Sequence, residues 1–184
     1  MGLAITYSLE SKLPLPALEA KISAWFSAVK ALEPAPQCIE LLPLGFKVKL
    51  RPGAESAKFQ FKPTAEGFEG FSGCKTQFAA LSGHGGITNF LIAHKMLVAI
   101  LDAGKQLGLV TEVFDDGDYW EKRDEQKLLK QMQLGAEMIA WLTGTIKDSF
   151  PGSEVISPIT AEPSFENLEA RGAEDLNKLN NPCK

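Results

Sequence analysis

The spacing of large apolar residues changes several times along this chain, and these changes constrain its fold more than any other feature. Between Leu3 and Leu9 every second residue is large and apolar, which is the period of a strand with one buried face. From Leu18 to Leu32 the spacing becomes three and four residues, which is typical of an amphipathic helix. It returns to two over much of residues 38–79. A chain with these changes of period is expected to combine strands with helices.

A phenylalanine-rich hairpin is predicted in the middle of the chain, around the turn-forming Pro52 and Gly53. We expect one set of residues to face the core, namely Phe46, Val48, Leu50, Phe59 and Phe61. The alternating basic set should face solvent, namely Lys47, Lys49, Arg51, Lys58 and Lys62. Sheets that bind single-stranded nucleic acid carry aromatic rings on their solvent side. The phenylalanines of this hairpin are predicted to face the core, so its basic face only weakly indicates a nucleic-acid partner.

Two long helices are predicted in the second half of the chain. Residues 90–101 contain ten apolar residues in twelve, interrupted only by His94 and Lys95. A membrane span needs about 20 apolar residues, so we interpret this stretch as the central, buried helix of a soluble protein. From Leu128 to Ile146 an apolar seam with spacings of four and three residues predicts the last helix.

Together these elements predict an α+β fold. We expect a mainly antiparallel sheet of about five or six strands, covered on one face by two or three helices, in the order β-α-β-β-β-β-α-β-α. Residues 1–150 are predicted to form a single domain. Residues 151–184, with six acids against three bases and four prolines, are predicted to form an acidic C-terminal tail that is either docked or mobile.

The composition places the chain among soluble globular proteins. Of its 184 residues 45% are hydrophobic, and the formal net charge of −4 is too small to indicate a protein that wraps nucleic acid. No cationic segment precedes an apolar run at the start, and the three cysteines include no close pair. We therefore expect a cytoplasmic protein with no disulfide framework, membrane contact, metal site or cofactor. The oligomeric state and the partner, a small molecule or another protein, stay open.

An acidic turn beside aromatic residues is the main candidate for a binding surface. It follows a predicted strand, and loops at strand ends are common positions for sites. Carboxylates beside exposed aromatic rings suit cationic or sugar-like ligands. The predicted ligand-binding residues are Asp115, Asp118, Tyr119, Trp120, Glu121 and Arg123. A structural alternative is that Asp118 and Glu121 form a capping box for the last helix.

A glycine-rich loop, Ser82-Gly83-His84-Gly85-Gly86, leads into the predicted central helix. Exposed amides at such a position can bind an anion, which makes Gly85 and Gly86 candidate ligand-binding residues. The loop matches neither the P-loop nor the dinucleotide-binding motif, so a plain connection is the competing interpretation. His84 is expected to be exposed here, whereas His94 shares a helix face with core side chains.

Three functions are compatible with these residues. The first is a non-enzymatic binding or interaction module that uses the acidic turn. The second is a small hydrolase or transferase in which His84 or His94 is the general base and its acid partner is Asp115, Asp116 or Asp118. Cys74 is disfavoured as a nucleophile because its place in a strand predicts burial. The third, and least favoured, is nucleic-acid binding through the basic hairpin face.

Overall fold

The computed structural model describes residues 3–150, which adopt the predicted α+β fold. The strands are β1 (Ala4–Ser11), β2 (Cys38–Leu42), β3 (Gly45–Lys49), β4 (Ser56–Gln60), β5 (Lys62–Thr64), β6 (Gly67–Lys75) and β7 (Val110–Asp115). The α-helices are α1 (Leu15–Lys30), α2 (Gly86–Gln106), α3 (Tyr119–Lys122) and α4 (Glu125–Ser149). Two 3₁₀ turns, Gln77–Ala80 and Ser82–His84, precede α2.

The strands form two antiparallel sheets instead of one. The large sheet has the order β5-β6-β1-β7, and the small sheet has the order β2-β3-β4. The total of seven strands exceeds the predicted five or six because residues 56–64 form two strands, one in each sheet. Gly45 lies where a Cβ would collide with the carbonyl oxygen of Phe59, so the close approach of β3 and β4 requires glycine there.

The small sheet is oriented as its alternation predicts. Phe46, Val48 and Phe59 are fully buried, and Lys47 and Lys58 between them are exposed. Directly opposed residues of an antiparallel pair share a face, and the register pairs Phe46 with Phe59 and Lys47 with Lys58. The phenylalanines therefore supply the core, and the basic side chains form a solvated face.

An aromatic cluster joins both sheets to the first helix. The Trp25 ring of α1 packs against Phe46 and Phe59 at centroid distances of 5.2 and 4.9 Å. Tyr7 of β1 stacks on Phe59 at 5.0 Å. The indole N–H of Trp25 donates to the carbonyl of Ile100 at 2.8 Å, so this buried polar group is satisfied by α2.

The helix α2 is central, as its composition predicts. Its buried residues include Phe90, Ala93, His94, Leu97 and Leu101, which lie on more than one side of the helix. Among residues 3–150 it is the one helix long and apolar enough to cross a membrane, and half of its most apolar window is buried inside the protein. Core helices of soluble proteins pass the same test, so this finding is weak evidence for a span.

The strand β7 changes register halfway along β1. Ser8 pairs with Glu112, but Leu9 pairs with Val110, which leaves Thr111 as an extra residue in a β-bulge. Because side chains alternate between faces along a strand, the bulge reverses their direction on its far side. Val110 therefore faces the core, whereas Phe114 faces solvent.

The predicted capping box at the acidic turn is wrong. Asp118 has a left-handed backbone (φ 58°) and makes no side-chain capping hydrogen bond, since an N-cap normally needs an extended backbone. Its carboxylate instead accepts from the ammonium of Lys122 at 2.8 Å. Arg123 is also left-handed (φ 53°), so the chain turns there and the predicted last helix is divided into α3 and α4.

The described residues belong to two compact units. The first ends at Glu125 and contains both sheets with α1 to α3, and the second begins at Gln126. Within α4 the predicted seam is buried at Leu128 but exposed at Leu142 and Ile146. The predicted acidic tail lies outside the described residues, so its docked and mobile forms both stay predictions.

Candidate ligand-binding face

A buried hydrogen-bond network joins three segments of the first unit. Nε2 of His94 donates to Oδ2 of Asp115 at 3.1 Å, because an ionised carboxylate can only accept. A hydrogen bond of 2.9 Å joins Nδ1 of His94 to the hydroxyl of Thr76. All three residues are buried, and the side chains of His94 and Asp115 have no exposed area. A general base must lie within hydrogen-bond reach of its substrate. The side chains of His94 and Asp115 are enclosed by the protein, so this network is suited to stabilising the fold.

The carboxylate of Asp115 also orders the turn that follows β7. Its two oxygens accept from the amide of Gly117 at 2.8 Å and from the amide of Trp120 at 2.9 Å. Burial on its own raises the pKa of this carboxyl. The hydrogen bond and charge of His94, together with the two amides, outweigh burial and hold the pKa of Asp115 below its ordinary value. The acid that sequence reasoning assigned to ligand binding is therefore an internal anchor for Trp120.

The other predicted catalytic groups lie apart from this network. His84 is exposed on a 3₁₀ turn, and its ring lies so close to Gly53 that a Cβ there would be 2.6 Å from Cδ2. From Gly86 to His94 the helix α2 rises about 12 Å along its axis. His84 precedes this helix, so the two histidines lie at different heights along the axis. Asp116 accepts from the amide of Ala4 at 3.1 Å and serves the start of β1.

The glycine loop places Gly85 and Gly86 at the start of α2. Both have positive φ values, 110° and 70°, which glycine adopts without steric cost. The backbone conformation therefore accounts for both glycines, and no bound ligand is needed to explain them. Asn89, in the first turns of α2, forms hydrogen bonds with the hairpin. Its side-chain amide donates to the carbonyl of Pro52 at 2.9 Å. Arg51 in turn donates to its side-chain oxygen at 2.9 Å. The first turns of α2, directly after the glycine loop, are thus tied to the hairpin.

Trp120 is the predicted ligand-binding residue that carries a partly exposed aromatic ring. It is partly exposed on α3, and its ring lies 5.3 Å from the ammonium of Lys105 and 5.0 Å from the guanidinium of Arg123. Arg123 is held by a two-point ion pair with Asp102, at 2.8 and 2.9 Å. Tyr119 differs from Trp120 because it is buried, and its ring lies nearly perpendicular to that of His94 at a centroid distance of 6.0 Å. Glu121 is exposed beside Trp120.

Two phenylalanines that sequence reasoning did not select stand on the outer face of the large sheet. Phe71 of β6 is 77% exposed and Phe114 of β7 is 66% exposed. They flank the central strand β1, since Phe71 is opposite Ser8 and Phe114 is opposite Thr6. Gly73 is the other neighbour of Thr6, so only small side chains lie between the two rings. We call this surface, with Trp120 at its edge, the aromatic face.

A depression of about 450 Å³ lies on the aromatic face. Its lining includes Thr6, Ser8, Phe71, Lys105, Phe114 and Trp120. Its volume is within the range of small-molecule sites, roughly 300 to 1,000 Å³. The depression thus combines three aromatic rings with hydroxyl groups and one ammonium group.

A second cavity, of about 480 Å³, lies beside α2. Its walls are mainly aliphatic, with Leu91, Ile92 and Met96 among them. The charged groups Lys95 and Glu125 at this cavity form an ion pair with each other. Glu33 and Thr88 also line this cavity. Among the described residues its lining contains no aromatic ring, whereas the aromatic face presents three.

The described residues contain no group of three or more potential metal ligands. Cys74 is buried, as its strand position predicts, and its thiol donates to the carbonyl of Glu55 at 3.2 Å. Burial and the nearby charge of Glu55 raise the pKa of this thiol to about 12. A thiol held protonated in this way is a poor nucleophile.

No family model, curated protein or solved structure matches this chain. The geometry of its own residues is therefore the basis for a function. Sequence reasoning found Trp120 but missed Phe71, Phe114 and Thr76. Phe71 lies within residues 38–79, where the apolar spacing of two predicts strands, but that spacing did not determine which face Phe71 occupies. Phe114 and the buried Val110 are four residues apart, so regular alternation would place both on the same face. The bulge at Thr111 reverses the side-chain direction and exposes Phe114.

Proposed function

We propose that this protein is a non-enzymatic binding module whose contact surface is the aromatic face and whose ligand is a small molecule. The observation that carries the proposal is the exposure of Phe71 and Phe114, at 77% and 66%, on either side of a depression. Large apolar side chains grouped on a surface are typical of interaction sites. The predicted surface residue Trp120 contributes to the same depression.

The size of the face favours a small ligand over a protein. The four strands of the large sheet contain three, nine, eight and six residues. At about 4.8 Å between strands and about 3.3 Å per residue, strands of this average length present a face of roughly 400 Å². A stable protein complex buries about 800 Å² on each partner. The face alone supplies about half of that area, whereas the depression is large enough for a small molecule.

The acid-base alternative has less support. His94 and its partner Asp115 are both buried, so neither side chain is exposed to a substrate. His84 is exposed but lies beside Gly53 of the hairpin. General acid-base work needs both groups at one substrate, and the face with free aromatic rings contains neither histidine.

The proposal is tested by ligand screening with amide chemical-shift mapping by NMR. The probes are a fragment library, nucleotides, short oligosaccharides and amino-acid amides. We expect at least one probe to shift the amides of Thr6, Ser8 and Trp120, and we expect Phe71→Ala combined with Phe114→Ala to abolish those shifts. Leu41→Ala is the matched control, because Leu41 is an apolar strand residue 66% exposed on the small sheet. Shifts that are the same in the wild type and the double variant would overturn the proposal.

A further inference from the structure

The depression on the aromatic face contains polar groups that have no hydrogen-bond partner among the described residues. Within residues 3–150 the hydroxyls of Thr6 and Ser8, the indole N–H of Trp120 and the carboxylate of Glu112 make no hydrogen bond, and all four residues line the depression. A hydroxyl can both donate and accept, the indole only donates and the carboxylate only accepts. A ligand that fits must therefore carry both donors and acceptors along its edge.

The charges on this face balance. The register and the depression place three ammonium groups and three carboxylates there, namely those of Lys62, Lys75 and Lys105 and of Glu10, Glu69 and Glu112. Nucleic acids are held largely by an excess of cations that neutralise phosphates. A face without that excess is suited to an uncharged ligand.

The two phenylalanines are too far apart to contact one small ring together. They are separated by two strand spacings across the sheet and by two residues along β1. At about 4.8 Å per strand and about 3.3 Å per residue, their Cα atoms lie about 12 Å apart. A ligand that stacks on both must contain at least two rings joined in a chain.

We propose that the ligand is a neutral saccharide of two or more sugar rings, an inference that rests on small-molecule binding at the aromatic face. A pyranose ring has an apolar face of C–H bonds, which packs on an aromatic ring, and an edge of hydroxyl groups. One sugar ring stacks on Phe71 and another on Phe114, while Thr6 and Ser8 exchange hydrogen bonds with hydroxyl groups between them. Trp120 and Glu112 extend the site towards the edge of β7.

The test uses titration of the intact protein with defined probes, followed by NMR and calorimetry. The saccharide probes are cellotetraose, xylotetraose and chitotetraose, each with its monosaccharide. The comparison probes are adenosine monophosphate and N-acetylphenylalaninamide. We expect one tetrasaccharide to bind, and its monosaccharide to bind at least about tenfold more weakly because one ring reaches only one phenylalanine.

The variants locate the binding on this face. Phe71→Ala or Phe114→Ala should each weaken tetrasaccharide binding by about tenfold or more, as expected when one stacking ring is removed. Phe71→Tyr should retain affinity because it keeps the ring, and the control Leu41→Ala should change it by less than about twofold. Thermal unfolding of each variant verifies the fold.

Two failures are distinguishable. If adenosine monophosphate or N-acetylphenylalaninamide binds in a Phe71-dependent manner and no saccharide does, the saccharide inference is overturned and small-molecule binding at the face stands. If no probe binds in a manner that depends on Phe71 or Phe114, both are overturned.

Discussion

At the scale of single residues, His94 joins segments that are far apart in the chain. One ring nitrogen bonds to Thr76 after β6, and the other bonds to Asp115 at the end of β7. Burial leaves no water to satisfy these groups, so each must find its partner within the protein. Asp115 extends the network to the amide of Trp120, which links the core to the aromatic face.

Replacing His94 should therefore cost substantial stability. In His94→Ala the carboxylate of Asp115 stays buried without its partner, and we expect the free energy of unfolding to fall by about 3 to 5 kcal/mol. Urea denaturation measures this loss. His84→Ala is the matched control, because His84 is exposed and its loss should stay within about 0.5 kcal/mol. Equal losses for both variants would contradict a structural role specific to His94.

Asp115 should make the fold sensitive to acid. Its folded-state pKa lies below the ordinary value of 3.8, so protonation favours the unfolded chain. The stability that it contributes is complete well above 3.8 and is lost as pH falls through the folded-state pKa. We expect Asp115→Asn to unfold at a lower temperature than the wild type at neutral pH, and the difference to shrink in acid. A difference that stays constant between neutral and strongly acidic pH would refute this assignment.

At the scale of elements, the bulge in β7 decides which side chains reach the aromatic face. It adds Thr111 to one strand of a pair and so allows Val110 to face the core and Phe114 to face solvent. The same reversal of side-chain direction at the bulge keeps Asp115 directed inward, towards His94. One residue therefore sets both the exposed aromatic face and the buried network.

Deleting Thr111 should be far more damaging than substituting it. The deletion forces either Val110 or Asp115 to the wrong face, since a one-residue slip exchanges inward and outward positions. We expect a loss of more than about 3 kcal/mol in the free energy of unfolding, comparable to breaking a buried ion pair. Thr111→Ala keeps the length of the strand and should cost less than about 1 kcal/mol. Equal unfolding curves for the two variants would show that the bulge is dispensable.

Two helical glycines should respond to alanine with opposite signs. A Cβ at Gly104 of α2 would collide with the Trp25 ring and Val110, so Gly104→Ala should destabilise the protein by about 1 to 3 kcal/mol. At Gly135 of α4 a Cβ meets no atom of the described part of the chain within 4 Å. Gly135→Ala should therefore stabilise the helix by up to about 1 kcal/mol through propensity alone. Thermal unfolding and helical circular dichroism check both, and a stabilising Gly104→Ala would show that the helix crossing has room there.

At the scale of the whole molecule, the exposed aromatic rings and the excess of cations occupy different surfaces. The outer face of the large sheet carries Phe71 and Phe114 with balanced charges. The small sheet exposes Lys47, Lys49 and Lys58, while its phenylalanines are buried. Binding of single-stranded nucleic acid needs stacking and cations together.

We therefore expect weak binding to single-stranded DNA. Nonspecific binding typically has a dissociation constant of roughly 10⁻⁴ to 10⁻⁶ M at physiological salt, and we expect this protein to bind at or beyond the weak end. Fluorescence anisotropy with labelled oligothymidine measures it. A submicromolar affinity that falls steeply with salt and is lost in Lys47→Ala with Lys58→Ala would contradict the separation of the two surfaces.

The sequence by itself determined the elements with regular local patterns. The alternation in β1 and in the hairpin identified their buried faces, and the run around His94 identified the central helix. These patterns are readable because alternation and helical spacing are properties of neighbouring residues. The acidic turn was also found, although Asp115 in it is an internal anchor.

Only the tertiary structure decided the rest. The partners of His94, Thr76 and Asp115, lie 18 and 21 residues away in the chain. The two phenylalanines flank β1 through strand pairings that no local pattern specifies. The bulge at Thr111 reversed the direction of Phe114 relative to Val110 because strand register is set by the pairing of whole strands. The division into two sheets has the same origin, since pairing partners are chosen by packing between distant segments.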